Sequence, residues 1–404
     1  MRNFDIAIVG GGAAGLAAAI SAKRAGIGAS VAVAERLPKV GKKLLATGNG
    51  RCNLSNTDLS EAHYRGSCTP LLEAADTADI PGFFASLGVV CDDDGFGRIY
   101  PRCRSAASVL DALRLECAKL GVTELCGFGV NKIGSGKAFT LQSDADSITA
   151  RKVILAGGGK SQPALGSNGT VLDICTGLGI AAAEPFPALV PLKTDPALVK
   201  PLKGQRADAN VTFCHNGRAI KSERGEVQFT DGLLSGICVF DLSYLYERLG
   251  RGSELRLDLL PDMSAEEVSS LLKDTREIRA DTAPEDFLSG IFTRPVGIYI
   301  LKRALGRLPG KTHGIRDLTK VTETIKALTF PVTGTAGFER SQVTGGGIIA
   351  DELTERYELK KFPGMFVCGE LLDIYGDCGG YNLDFAFSSG ILAGRYAASD
   401  LKKH

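Results

Sequence analysis

Short apolar runs alternate with helical patterns over the first 188 residues of the chain. Residues 4–9, 31–34 and 153–156 are mostly apolar and predict buried strands. Residues 13–25 and 105–120 carry apolar side chains at helical spacing and predict helices. This alternation is typical of an α/β domain with a parallel sheet.

The pattern changes near residue 189, where short strand-like runs are separated by turn residues. The predicted strands of this β-rich region are residues 189–192, 209–214, 226–230 and 254–259. A helical region then runs from 264 to 328, and Ser264 with Glu267 forms a capping box at its start.

The α/β pattern returns at the end of the chain. A strand pair at 329–333 and 339–344 is expected to return to the β-rich region, before a buried strand at 365–368 and a last helix at 384–399. We therefore predict one discontinuous domain from residues 1–188 and 342–404. The predicted insertions are a β-rich domain, 189–263 with 329–341, and a helical subdomain, 264–328.

The charge balance limits the partners. The 404 residues include 47 Lys and Arg against 46 Asp and Glu, a net charge of +1, and no basic block exceeds two residues. Binding of nucleic acid or of an anionic membrane surface is therefore not expected, because both require a basic surplus. The apolar run at 6–22 is interrupted by three glycines, so neither a targeting segment nor a membrane span is predicted.

Cysteine and histidine usage gives no metal site. No two of the eleven cysteines have C-x-x-C spacing, and His63, His215, His313 and His404 lie far apart in sequence. We expect reduced thiols, no bound metal and a cytoplasmic location.

A dinucleotide-binding loop follows the first predicted strand. Gly10-Gly11-Gly12-Ala13-Ala14-Gly15 opens the first helix, so the Gly-x-Gly-x-x-Gly motif has its required context. Gly10 allows the tight turn, Gly12 lets a pyrophosphate approach the backbone, and Gly15 lets the helix pack closely on the strand. Glu35, at the end of the second strand, is placed to accept hydrogen bonds from ribose hydroxyls. Spacing alone leaves FAD and NAD open.

Glycine makes up 50 of the 404 residues, well above the average of about 7%, and several further loops concentrate it. Residues 47–53 form either a surface turn or a lining for a cofactor through their amides, Arg51 and Asn53. Residues 157–159 lack the third motif glycine and predict a close approach of backbone to the first cofactor. Residues 345–347 precede no helix and are assigned to a turn.

Several blocks together resemble a known flavoprotein family. They are GGGAAG (10–15), KVGKKLLATGNGRCNLSN (39–56), GRIYPRCRSAASVLDAL (97–113), AGGGKSQPALGSNG (156–169), FTDGLLSG (229–236), QVTGGGI (342–348) and GELLDIYGDCGGYNLDFAFSSG (369–390). The chain resembles the aminoacetone-oxidase-family or bile-acid-reductase-like FAD-binding flavoproteins, which have a glutathione-reductase-type FAD domain. The resemblance implies FAD rather than NAD, and an α/β, Rossmann-like FAD domain interrupted by a β-barrel-like domain and a small helical domain.

The resemblance also implies a set of cofactor contacts. Glu370 is the candidate for the ribityl chain, and the helix opened by Gly379 to Leu383 is expected to face the flavin N1/O2 edge with its positive end. The full predicted set is Gly10, Gly12, Ala13, Ala14, Gly15, Glu35, Arg36, Lys42, Gly48, Asn49, Arg51, Cys52, Asn53, Val130, Ala156, Gly157, Gly158, Gly369, Glu370, Gly380, Tyr381, Asn382 and Leu383.

Two positions depart from the family pattern. Asp384 stands where a Gln or a related residue is common, and Asp377-Cys378 replaces a Pro-Thr pair. A carboxylate and a thiol near a flavin could change substrate charge preference or redox behaviour. In the alternative interpretation, Asp384 only caps the helix and Cys378 only fills space.

The family chemistry is hydride exchange between the flavin N5 and an organic substrate. The expected reaction is reduction of a C=C bond conjugated to a ketone, in a small hydrophobic 3-oxo-Δ4 steroid or bile-acid-like substrate. The acid that protonates the substrate is predicted to be Tyr375, Asp373 or Tyr381, in that order.

Two other functions stay open. One is a flavin amine oxidase that acts on a small amino ketone with O2. The other is a non-catalytic flavin-bound redox sensor or partner protein, for which Cys52, Cys368 and Cys378 give weak support. The electron donor is expected to be a transiently bound NAD(P)H or a protein.

Overall fold

The computed structural model describes residues 2–401, so His404 lies outside the described residues. The chain divides into two compact units. The first unit combines Met1–Ala188 with Ser341–His404, and the second is Leu189–Arg340. The two ends of the chain thus build one unit.

The chain forms twenty-one strands among its described residues. They are β1 (Arg2–Val9), β2 (Val31–Glu35), β3 (Ser55–Asn56), β4 (Tyr64–Arg65), β5 (Cys91–Asp93), β6 (Arg98–Pro101), β7 (Thr123–Cys126), β8 (Lys132–Gly134), β9 (Phe139–Gln142), β10 (Ser147–Leu155), β11 (Ala182–Ala188), β12 (Leu192–Lys193), β13 (Arg206–His215), β14 (Arg218–Thr230), β15 (Leu233–Ser235), β16 (Ser253–Asp258), β17 (Leu328–Pro331), β18 (Gly334–Thr335), β19 (Val343–Ile348), β20 (Met365–Val367) and β21 (Tyr375–Gly376).

Eleven α-helices accompany them in the same range. They are α1 (Ala13–Ala25), α2 (Leu72–Ala75), α3 (Ile80–Ala85), α4 (Ala106–Lys119), α5 (Thr170–Gly177), α6 (Pro196–Val199), α7 (Ile237–Leu249), α8 (Ala265–Ile278), α9 (Arg294–Leu305), α10 (Leu318–Lys326) and α11 (Tyr381–Leu401). Within residues 2–401, no helix combines the length and the apolar character that crossing a bilayer requires.

The first unit is built on a sheet with the order β7-β2-β1-β10-β9-β8, in which β20 also pairs with β10. The pairs β7–β2, β2–β1, β1–β10 and β10–β20 are parallel. Val9 is in register with Ala34 and Leu155, so the carboxyl ends of three strands meet at one edge. The predicted α/β class is confirmed, and this edge is where such sheets bind ligands.

The second unit carries an antiparallel sheet with the order β17-β16-β13-β14-β15-β12-β18. Helices α8 and α10 pack on it, because Val268, Leu272 and Val321 share one hydrophobic core with Phe213 and Phe330 of the sheet. The capping box predicted at Ser264 is present and opens α8.

Three predicted elements differ from the structure. No strand spans 189–192, because Leu189 has a left-handed φ of 50° that interrupts the strand direction between β11 and β12. The strand predicted at 339–344 is instead β19, which pairs with β11 in the first unit. The last helix begins at Tyr381 rather than at residue 384, directly after two glycines with positive φ.

The assignment of residues 345–347 to a turn is also wrong, because all three lie in the buried strand β19. A Cβ on Gly345 would overlap the Phe186 ring, and one on Gly346 would overlap the Glu184 carbonyl oxygen. The glycines therefore let a neighbouring strand and its aromatic ring lie directly on the β19 backbone.

Helix α11 crosses α1 with backbone against backbone. A Cβ on Gly390 would overlap the Ala14 carbonyl oxygen, and a Cβ on Gly394 would overlap that of Ala18. The Ser21 hydroxyl also donates to the Ile391 carbonyl over 2.7 Å. The helix from the end of the chain is therefore fixed against the first helix.

We expect Gly390→Ala to lower the free energy of unfolding by about 1–3 kcal/mol, because one methyl group must push two packed helices apart. Gly177→Ala is the matched control, since a Cβ at this last residue of α5 meets no atom within 4 Å. Urea unfolding of both variants measures the difference. Equal stability of the two would contradict the close crossing.

Candidate functional site

The glycine loop leaves open space at the start of α1. A Cβ on Gly10, which has a φ of 107°, would overlap the Ala156 carbonyl, and one on Gly15 would overlap that of Gly10. At Gly12, in contrast, a Cβ would meet no atom within 4 Å. No side chain caps this helix, so its first amides face open space as an anion site.

Glu35 holds the glycine loop to the end of β2. Its carboxylate accepts hydrogen bonds from the amides of Gly11 and Leu37, each over 2.8 Å. Each carboxylate oxygen has a further lone pair, so the group can still accept a ribose hydroxyl. Next to it, the Phe128 amide donates to the Glu35 carbonyl and Val130 is buried. The residues predicted to contact the adenosine, namely the glycine loop, Glu35 and Val130, therefore lie close together.

Two predicted basic contacts bind protein instead. The Arg36 Nε donates to the Gly166 carbonyl over 3.1 Å, and the Lys42 Nζ donates to that of Ala164 over 2.8 Å. Both side chains are exposed. These two hydrogen bonds hold the short 3-10 helix Pro163–Leu165 against the segment that follows β2.

Lys43, which the sequence did not single out, forms an ion pair with Glu370. Its Nζ lies 2.7 Å from Oε2, and Oε1 accepts from the Thr344 amide over 2.8 Å. The Thr344 hydroxyl in turn accepts from the amides of Lys160 and Ser161. Glu370 therefore joins four chain segments. The only sequence signal for Lys43 was its place in the block 39–56.

The loop at 47–53 has an exposed outer side, at Asn49, Gly50 and Arg51, and a buried residue, Cys52. Gly48, Asn49, Gly50 and Cys52 all have left-handed φ values between 54° and 82°, and Cys52 is fully buried. The Asn53 Oδ1 is buried and has no hydrogen-bond partner among residues 2–401. An unpaired buried oxygen of this kind fits a ligand donor, such as a flavin ring N–H. Here the interpretation as a cofactor lining is favoured.

Arg51 lies at the outer side of this loop. Its Nε donates to the Gly48 carbonyl over 3.2 Å, and its guanidinium lies 5.5 Å from the centre of the Tyr100 ring. Arg51 is exposed, so it stabilises the loop from outside.

The start of α11 faces the same loop. A Cβ on Gly380 would overlap the Ser55 carbonyl oxygen and lie 2.9 Å from the Asn53 Oδ1. Asn382 holds the incoming chain, because its amide accepts from the Gly376 N–H over 2.8 Å and donates to the Gly376 carbonyl over 2.9 Å. The positive end of α11 is thereby placed beside Asn53.

The remaining predicted contacts lie at the same sheet edge. Gly157 packs under Val171, Gly158 has a φ of 70°, and the Gly369 amide donates to the Ser389 hydroxyl of α11 over 2.9 Å. These positions follow β10 and β20, whose ends adjoin the glycine loop.

The three candidate acids have different surroundings. The Asp373 carboxylate accepts from the Ser67 amide over 2.9 Å and so holds a loop. The Tyr375 ring meets Phe186 edge-on, with centroids 5.4 Å apart. The Tyr381 ring is stacked on the His63 imidazole, with centroids 4.5 Å apart.

A charged cluster beside Tyr381 was missed by the sequence analysis. Both ring nitrogens of His63 lie near carboxylates, Nδ1 at 3.3 Å from Asp377 and Nε2 at 3.1 Å from Asp58. Arg65 forms a 2.6 Å ion pair with Asp377. His63 and Asp377 are 314 positions apart, so no local pattern joins them. The one available signal was the departure from the family at Asp377.

Asp384 is 5% exposed and lies in the first turn of α11. Its carboxylate accepts hydrogen bonds from the Ser55 hydroxyl over 2.5 Å and from the Ser388 hydroxyl over 3.3 Å. Because α11 begins at Tyr381, Asp384 is not the N-cap residue that the capping interpretation requires. Burial raises the pKa of Asp384 to about 6.

Two of the three thiols near the proposed flavin segments, Cys52 and Cys368, are buried, whereas Cys378 is half-buried. Burial raises the pKa of Cys52 to about 12 and that of Cys368 to about 12. Both therefore stay protonated at neutral pH, whereas reactive cysteines are thiolates in exposed, electropositive sites. This weakens the support for a redox sensor.

Known proteins share this architecture over the whole chain. A family model described as the HI0933-like protein Rossmann domain matches residues 4–396. The chain is 35% identical to the 3-dehydro-bile acid delta(4,6)-reductase of Clostridium scindens, over 97% of this chain and 98% of that protein. It is 28% identical to the ribosomal RNA dihydrouridine synthase of Escherichia coli, over 96% of each.

A solved structure agrees on the fold. The 3-ketosteroid-delta4-(5alpha)-dehydrogenase of Rhodococcus jostii matches with a TM-score of 0.53 at 18% identity, and the match covers 98% of this chain and 97% of that one.

We expect a thiol reagent at pH 8 to modify the exposed Cys103 and Cys126 in the native protein, and to reach Cys52 and Cys368 only after unfolding. Peptide mapping by mass spectrometry identifies the modified residues. Rapid modification of Cys52 in the native protein would show that its thiol is accessible and ionised.

Proposed function

The chain belongs to the HI0933-like Rossmann-domain family and is an FAD-dependent oxidoreductase, and we propose that it reduces a C=C bond conjugated to a ketone. The substrate class is a 3-oxo-Δ4 steroid or a bile-acid-like compound. One observation carries this proposal: the 35% identity with a 3-dehydro-bile acid delta(4,6)-reductase extends over nearly the full length of both chains.

The described residues fit FAD at two helix N-termini. The open amides over Gly12 would hold the pyrophosphate, and Glu35 would accept a ribose hydroxyl. Tyr381, where α11 begins, precedes the α1 crossing at Gly390 by nine residues, or about 14 Å along the helix axis. A dinucleotide extended over that distance would place its ring at α11, where Asn53 offers an unpaired acceptor.

The other predicted contact residues are proposed either to bind the cofactor directly or to shape the site around it. Glu370 is proposed for the ribityl chain, with Lys43 setting its charge and orientation. Arg36, Lys42 and Arg51 donate to backbone carbonyls, so we propose that they shape the site and do not bind the cofactor directly.

Bound FAD supplies the hydride, and the protein must stabilise charge and deliver a proton. The positive end of α11 would stabilise the negative charge of the reduced ring. Of the three proposed acids, Asp373 is the least suited, because its carboxylate already holds the Ser67 amide. Tyr381 is favoured, since it begins α11 and its ring is stacked on His63, whose ring nitrogens contact Asp58 and Asp377.

A small molecule is preferred over RNA as the substrate. The uracil C5=C6 bond is also conjugated to a carbonyl, so the reaction of the Escherichia coli relative is chemically similar. A net charge of +1 gives little general attraction to phosphates, however.

NAD(P)H is proposed as a transient electron donor. A flavin amine oxidase is the competing enzyme activity.

We expect Glu35→Arg to weaken FAD binding at least tenfold, about 1.4 kcal/mol, because it removes the acceptor for the Gly11 amide and the ribose. Glu35→Gln is the matched control and retains one acceptor. Flavin absorbance after gel filtration gives the occupancy. Wild-type occupancy in Glu35→Arg would remove Glu35 from the ribose site.

Reduced enzyme mixed anaerobically with a 3-oxo-Δ4 steroid is expected to show rapid return of oxidised flavin absorbance, with formation of the saturated ketone. Uridine-containing RNA and a small amino ketone are the comparison substrates. Reduction of the oxidised enzyme by NADPH or NADH in the same apparatus tests the donor. Oxidation by O2 alone would overturn the reductase proposal.

A further inference from the structure

Asp384 is a buried carboxylate at the start of the helix that faces the proposed flavin site. It lies three residues after Tyr381, or roughly 4.5 Å along the α11 axis. Its oxygens contact the Ser55 hydroxyl of β3 and the Ser388 hydroxyl of α11. Ser55 is also the residue whose carbonyl lies against Gly380. The carboxylate is therefore part of the contact between the two segments proposed to hold the ring.

No cation is among the groups that set the pKa of Asp384. Burial and the carboxylate of Asp76, which follows α2, disfavour its ionised form, and only the two serine hydroxyls favour it. Tyr64 of β4 is the other titratable group that interacts with it, and Asp384 raises the pKa of that phenol. The balance raises the pKa of Asp384 to about 6.

Asp400, on the same helix, is a contrasting carboxylate, because it has a cation as its partner. It is 8% exposed, similar to Asp384, but its Oδ1 lies 3.0 Å from the Arg356 guanidinium. Asp384 contacts two neutral hydroxyls instead of a cation, so no opposite charge offsets its burial.

Reduction of the flavin would bring a second negative charge to this helix end. Two like charges close together in a low-dielectric site disfavour each other, so one of them gains a proton. We propose that Asp384 takes up a proton from solvent when the bound flavin is reduced, and releases it when the flavin is reoxidised. The proposal rests on FAD binding at α11 and is independent of the substrate.

The step balances without a further reactant. Two electrons come from the reductant, one proton goes to the flavin ring with them, and a second proton goes to a carboxylate oxygen of Asp384. Reoxidation returns the second proton to solvent. No bond to Asp384 other than O–H forms or breaks.

The test is the midpoint potential of the FAD-loaded protein between pH 5 and pH 9, compared with that of Asp384→Asn. One proton per two-electron reduction changes the equilibrium tenfold per pH unit, about 30 mV. Below pH 6, Asp384 is protonated in both redox states, so the wild-type and variant lines should run parallel. Above pH 6, the wild-type potential should fall below that of the variant by about 30 mV more per pH unit, up to the pKa that Asp384 has in the reduced state.

Two further variants serve as controls. Asp400→Asn should leave the pH dependence unchanged, because Asp400 lies at the far end of α11. Ser55→Ala removes a hydrogen bond that favours the ionised form, so the point at which the wild-type line steepens should move to higher pH. A carboxylate with a merely structural role would alter stability in Asp384→Asn and leave the slopes equal.

Parallel lines for the wild type and Asp384→Asn across the whole range would overturn the proposal. If that variant does not retain FAD, proton uptake by the wild type, measured from pH 5 to pH 8, decides. Protonation of the flavin ring itself can only decline as pH rises, so an uptake that increases by up to one proton per reduction above pH 6 supports the proposal, and an uptake that does not increase overturns it. Failure of the steroid to oxidise the reduced enzyme would leave this result intact and would count only against the proposed substrate.

Discussion

The site depends on the contact between α1 and α11. Gly390 and Gly394 lie against the Ala14 and Ala18 carbonyl oxygens, so the separation of the two helices is set by backbone atoms. Glycine inside a helix costs about 0.5–1 kcal/mol relative to alanine. This sequence accepts the cost twice, at Gly390 and at Gly394, and gains a fixed distance between two helix N-termini. One N-terminus comes from each end of the chain, and a single cofactor can use both.

Three carboxylates near these two helix N-termini differ in function because their partners differ. Glu35 accepts from two backbone amides and remains an acceptor at the rim of the glycine loop. Glu370 is paired with Lys43 and so adds no net charge. Among residues 2–401, the Asp384 carboxylate has hydrogen bonds from two hydroxyls, and burial raises its pKa to about 6. All three side chains are carboxylates, and their hydrogen-bond and ion-pair partners give each a different place in the site.

Local patterns predicted the parts of the structure that local chemistry determines. The helix expected at 13–25 is α1 without change, and Ser264 caps α8, because turn and cap residues act within a few positions. Strand 339–344 was misplaced, since β19 is fixed by the bulky Phe186 lying across Gly345 from β11. The pair Lys43–Glu370 is separated by 327 positions, and only the fold brings it together. The motif loops could be predicted, but not the ion pairs between them.

The loop at 47–53 has a strained backbone that the rest of the fold holds in place. Asn49 and Cys52 adopt left-handed φ values that cost of order 1–3 kcal/mol each for residues other than glycine. Backbone bonds from Cys52 to Thr47 and from Leu54 to Ile99 hold the loop in this shape. A ligand that donates to the Asn53 oxygen adds a hydrogen bond that residues 2–401 do not supply, and because a ligand that binds the folded state stabilises it, retention of the cofactor is linked to the stability of the unit that carries this loop.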